Sequence, residues 1–249
     1  MKDLAQRFDA IIGDYEAALD TLAEVLQHIE ATKPDARLRV VMLNNTIVAL
    51  TATIEEALRG LFQEYLSILE ESFEDHRELR RALQKANLDR AIQYLKKCKT
   101  DGDFKTAATV VSNLAMCLNG QSGYRLLKER IVYNQGNFRS LQVTEISKDV
   151  GFSDLWRSVC DCTEVDDYTG EAIVETRVTR LTAKWNEVFD ERDLVVHRIS
   201  QASGWAPERI QESIDLSRLV VKRISICLSR DADEQLAIKA EESPQSMGR

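Results

Sequence analysis

The stretch Asn45-Thr46-Ile47-Val48-Ala49-Leu50-Thr51-Ala52-Thr53-Ile54-Glu55-Glu56 presents apolar or weakly polar side chains on nearly every side of a helix. A helix that is apolar all round belongs at the centre of a bundle. The surrounding pattern extends it from Ala36 to about Ser72, with Val40, Leu43, Ile47, Leu50, Ile54, Ala57, Leu58, Leu61, Tyr65, Ile68 and Leu69 on the buried side. Glu55 and Glu56 follow Ile54 directly, so one of them must lie at the edge of the buried stripe, where water reaches a carboxylate.

The same helical spacing recurs on both sides of this segment. Leu4, Phe8, Ile11, Tyr15, Leu19, Leu22, Leu26 and Ile29 advance in steps of three and four, which places them on one face. This N-terminal helix (residues 1–33) either packs on the domain or serves as a dimerising arm. Pro34 ends it, because the residue before a proline is driven out of the α conformation. Further helices are predicted over 104–118, about 123–133, 140–150 and 171–189, and another begins at Pro207. Residues 151–170 read as irregular, and 231–249 as a flexible tail of low apolar content. The pattern shows neither a strand pair nor a fixed repeat. The fold class is therefore all-α, with a main helical domain over 36–230.

Composition narrows the function. Only 10 Gly and 3 Pro in 249 residues favour long unbroken helices. A formal charge of −8 argues against strong nonspecific binding of nucleic acid, since phosphate affinity comes from Lys and Arg. The first residues carry no apolar signal core, and no apolar run is long enough for a membrane span. A cytoplasmic protein is expected. Five scattered cysteines fit reduced thiols there. Cys160-x-Cys162 with Asp166 and Asp167 lacks the paired spacing of a zinc site and reads as a surface loop, so no metal is assigned. His28 and His76 read as surface histidines. Residues 73–99 hold the local excess of positive charge. Within it Lys96, Lys97 and Lys99 are candidate phosphate contacts, together with Arg198.

One stretch combines chemical capacity with core-like neighbours: Phe189-Asp190-Glu191-Arg192-Asp193-Leu194-Val195-Val196-His197. Asp190 reads as an N-cap, Asp193 as the third residue of a capping box, and Phe189 with Leu194 as a hydrophobic staple. A helix is thus predicted to start at Glu191, with Leu194, Val195 and Val196 as core. Asp193 and His197 are four apart and within reach of each other. Asp193 would then fix the ring of His197. Arg192 and His197 are separated by about 140° around the axis. One helix therefore makes half a site, which a second copy across a twofold axis would complete.

Arg192-Asp193-Leu194-Val195-Val196-His197 resembles the Arg-polar-x-x-x-His motif of the HEPN superfamily, and the layout is similar to the RiboL-PSP type of HEPN domain. The early apolar helix with its embedded Glu55, the segment from Gly136-Asn137 to Gly151-Phe152, and the final helix carry that likeness over roughly 36–230. Asp193 stands where Asn is commoner, and the N-terminal helix has no counterpart in the pattern. The resemblance implies an HEPN-like helical bundle acting as a homodimeric, metal-independent and cofactor-free endoribonuclease. Such proteins are often toxins or antiphage effectors, with an antitoxin or other regulatory protein as partner. It implies Arg192, Asp193 and His197 as catalytic residues, RNA as substrate and a 2′,3′-cyclic phosphate product. The alternative function is a non-catalytic helical module of the same fold that binds a protein partner.

Overall fold

The computed structural model describes residues 4–99, 101–132, 137–197 and 205–242. All regular structure among them is helical. Helix α1 (Leu4–Thr32) buries Phe8, Tyr15, Leu19, Leu26 and Ile29, the face that the spacing predicts. It packs on α2 (Ala36–Ser72) and on α10 (Pro207–Glu242), so it is part of the common core. The link between α1 and α2 is short for a local reason. Lys33 takes a left-handed φ of 44° before Pro34, and Asp35 caps α2 by accepting from the backbone N–H groups of Arg37 and Leu38.

Helix α2 is the axis of the molecule. Leu50, Ile54, Leu58, Leu61, Phe62 and Tyr65 are fully buried along it, and it packs against α1, α5, α9 and α10. Each large apolar side chain so enclosed contributes about 1.5–3 kcal/mol relative to exposure. After α2 come a 3-10 turn (His76–Glu78), α3 (Arg81–Leu95), α4 (Asp101–Asn119), α5 (Lys128–Val132) and α6 (Ser140–Asp149). The chain then runs through α7 (Leu155–Cys160), α8 (Thr163–Thr169), α9 (Val174–His197) and α10.

Four expectations change. Residues 151–170 are not irregular: α7 and α8 bury Leu155, Trp156, Val159, Cys160 and Val165. Arg177, 8% exposed, steadies this region by donating to the carbonyls of Cys160, Glu171 and Ala172. Cys160 is therefore core rather than surface loop, and burial pushes its thiol up to about 12. His76 is also buried, at 5% exposure. The expected tail does not begin at 231, because α10 continues to Glu242. Polar pairing makes this segment a core element despite its low apolar content. Tyr65 donates to Asp231 at 2.5 Å, Gln235 donates to the Tyr65 hydroxyl at 2.6 Å, and Arg80 meets both Asp231 oxygens. A polar group inside a core is tolerated when it is fully hydrogen-bonded. Finally, α9 does not stop at Phe189, which bears directly on the site.

Candidate functional site

Helix α9 runs unbroken through the stretch where a second helix was predicted to start. Asp190 is therefore an interior residue and caps nothing. Phe189 is fully buried while Leu194 is 40% exposed, so no staple joins them. The reason lies in the aromatic core: Trp185 and Phe189 pack edge to face at 5.6 Å, and Trp185 donates its indole N–H to the Phe138 carbonyl at 2.8 Å. These anchors carry the helix past the acidic residues that mimic a cap. Val196 is also 40% exposed, so the apolar residues before His197 are largely surface.

Asp193 is the hub of the local charges. It accepts from Arg139 at 2.8 Å, from Asn137 at 3.1 Å and from Arg192 at 3.0 Å. Partial burial raises its carboxyl, but the hydrogen bonds from Arg192, Arg139 and Asn137 outweigh this and hold it below the usual aspartate value. Arg139 also pairs with Asp190. The segment bearing Asn137 and Arg139 is itself tied to α9, since the Asn186 side chain accepts from the Ser140 backbone N–H and donates to the Ser140 hydroxyl, both at 2.9 Å. Residues 137–140 and the later turns of α9 are thus tied into one hydrogen-bonded unit.

Glu55 lies on α2, which packs on α9, and within the field of this unit. Its carboxylate has no hydrogen bond or ion pair among the described residues, and it is half-buried. Burial raises its pKa above the ordinary value, opposed by the fields of Arg192 and Arg59 and reinforced by that of Asp193. Arg192 spends one guanidinium nitrogen on Asp193. Its remaining donors have no partner among the described residues.

The predicted residues divide accordingly. Arg192 and Asp193 come together, with Glu55 in their field. His197 is the exposed last residue of α9, and no hydrogen bond joins it to Asp193. Asp193 holds Arg192 and the Arg139 loop in place of the histidine ring. Lys96, Lys97 and Lys99 are exposed at the end of α3, which packs on α4, α5 and α6, while α9 packs on α2, α7 and α8 and also touches α6 and α10. No hydrogen bond or ion pair joins Lys96 or Lys97 to Arg192 or Asp193. Arg198 lies outside the described residues. Sequence reasoning missed Asn137 and Arg139 as partners of Asp193. The available signal was a polar Asn-x-Arg just ahead of the α6 pattern, which names no partner until the fold is known.

Among the described residues no cluster of His, Cys, Asp and Glu has the arrangement of a metal site, and no helix is long and apolar enough to cross a membrane. No family model matches this chain, and no curated protein or solved structure matches it.

Proposed function

We propose that the chain is a metal-independent endoribonuclease of the HEPN type, acting as a homodimer on RNA in the cytoplasm. One observation carries the reading: a half-buried Glu55, with no ion pair among the described residues, lies in the field of an Arg192 whose guanidinium is bonded among those residues only to Asp193. Groups held this way, with charge left uncompensated, mark sites built for a ligand. Asp193 positions Arg192, and Glu55 sets the field around it. Arg192 binds the scissile phosphate and stabilises the charge that grows on its oxygens. His197 takes the proton of the ribose 2′-OH or returns one to the leaving 5′-oxygen. The 2′-oxygen then bonds to phosphorus as the P–O5′ bond breaks, leaving a 2′,3′-cyclic phosphate and a 5′-hydroxyl. Exposed Leu194 and Val196, each 40% accessible beside Arg192, suit burial against a second copy that would bring two such helix ends together. A toxin or defence role, with a neutralising protein partner, is the biological setting that this chemistry fits.

The second reading is a non-catalytic module in which that same exposed apolar end of α9 binds a partner protein. End-labelled RNA separates the two. The purified chain is expected to cut in the presence of EDTA and to leave a cyclic phosphate terminus, and His197→Ala is expected to lower the rate by about 10²–10⁴-fold. Cleavage lost in EDTA, or equal cleavage by the variant, overturns the nuclease mechanism. A correctly folded wild type that leaves RNA intact supports the binding module.

A further inference from the structure

A second site lies beyond the C-terminal end of α2, and the rise along that helix from Glu55 to Ser72 alone is about 25 Å. Here a cavity of about 430 Å³ opens between the His76 turn, the start of α3 and the end of α4. A volume of that order accommodates a small organic ligand.

Its walls divide by chemistry. Leu88, Leu114 and Leu118 form an apolar side, and Leu118 is 65% exposed at the rim. Arg81 and Lys85 form a cationic side one turn apart on α3, and neither has a hydrogen bond or ion pair among the described residues. They sit in the opening turns of a helix whose N-terminus carries no side-chain cap, so its free N–H groups add positive potential.

His76 supplies an independent pointer. It lines the cavity although it is 5% exposed. The Asn87 side-chain oxygen accepts from the Leu127 backbone N–H at 2.9 Å, so the Asn87 nitrogen is the end that donates to His76 Nε2, at 3.3 Å. In the neutral ring Nδ1 then carries the proton, and no described residue accepts it. Burial lowers the His76 pKa, opposed by Asp75, which favours that neutral form. Tyr124 holds the ring edge to face at 5.2 Å, leaving a fixed donor that no described residue uses on a side chain that lines the cavity. Cys117 also borders the cavity, but burial pushes its thiol up to about 11, so it is no nucleophile. The pocket is built for binding.

We infer that this cavity binds a small organic anion, with a phosphate or carboxylate head against Arg81, Lys85 and His76 and a compact apolar body against Leu88, Leu114 and Leu118. The site is independent of the α9 chemistry. Titration calorimetry of the full chain with 1-naphthyl phosphate, 1-naphthoate and inorganic phosphate tests it. One equivalent of an aromatic anion is expected to bind, with inorganic phosphate weaker by at least about tenfold because it lacks the apolar body. The preferred aromatic anion identifies the head group. The double variant Arg81→Ala, Lys85→Ala, altered only at exposed side chains, is expected to lose at least about tenfold in affinity. Leu114→Trp, which fills the apolar side and keeps both cations, is expected to abolish binding. No heat from either aromatic anion, equal affinity for inorganic phosphate, or unchanged affinity in the double variant overturns the assignment.

Discussion

Glu55 and Glu70 lie about four turns apart on α2, yet their surroundings differ. The Glu70 side chain is 4% exposed and ion-paired to Arg125 and Lys128, and it accepts the backbone N–H of Leu126 at 2.5 Å. It ties the segment between α4 and α5 to the central helix. Glu55 is half-buried and has no pair among the described residues, in the fields of Arg192, Arg59 and Asp193. A buried carboxylate with every oxygen satisfied is a strut, and its charge is already neutralised by the fold. A carboxylate held beside an arginine but not bonded to it leaves both groups able to respond to a ligand. The difference separates a structural carboxylate from a candidate site residue on one helix.

The largest effect expected of this comparison is Glu70→Ala. It leaves the buried N–H of Leu126 unpaired and the part-buried Lys128 short of a partner, while the exposed Arg125 stays solvated, and should cost about 2–3 kcal/mol, or roughly 4–12 °C in Tm. Thermal denaturation followed by circular dichroism measures it, and a loss no larger than that of a surface substitution would break the comparison. Asp193→Asn comes next. Its side chain is 34% exposed, so its ion pairs are partly screened, and the loss should be roughly 1 kcal/mol, or about 2–4 °C. Its carboxyl is lowered below 3.8 in the fold. The stabilisation is therefore present above that pH and lost as pH falls through the lowered value, so the Tm gap between wild type and variant should close in strong acid. A gap unchanged down to the lowest pH that preserves the fold would mean that Asp193 acts through shape and not charge.

The smallest effect has the opposite sign. Glu55 is raised above 4.5 in the fold, so its contribution to stability is present below that pH and lost as pH rises through the raised value. Glu55→Gln should therefore gain about 1–3 °C in Tm at neutral pH and gain nothing near pH 4. If the α9 site cleaves RNA, the same variant should also lower the rate by about tenfold, because it removes the charge that faces Arg192. A variant that is destabilised at neutral pH would show Glu55 to be a strut like Glu70.

Much of the fold is legible in the residues, because amphipathic spacing reports burial directly. The α1 stripe from Phe8 to Ile29, the all-apolar centre of α2 and the start of α10 at Pro207 follow from the side chains alone. The misreadings share one cause. Asp190 and Asp193 imitate a capping box, but Trp185 and Phe189, buried by distant elements, keep α9 helical through them. Asp231 and Gln235 look like tail residues until Tyr65 and Arg80 pair with them across the bundle. His76 looks like a surface residue until Asn87 and Tyr124 enclose it. Local spacing carries no information about partners that are remote in the chain.

For the α9 site the division is the same. The sequence by itself determined that the protein is all-α, that α2 is its central helix, and that Arg192, Asp193 and His197 share one short stretch. Only the tertiary structure decided that Asp193 serves Arg139 and Arg192 instead of His197, and that Glu55 lies in their field with no pair among the described residues. Helical periodicity is a local consequence of 3.6 residues per turn, readable from neighbours in the chain. The pairing of charges depends on which helices pack side by side, and that is settled by burial of the whole core.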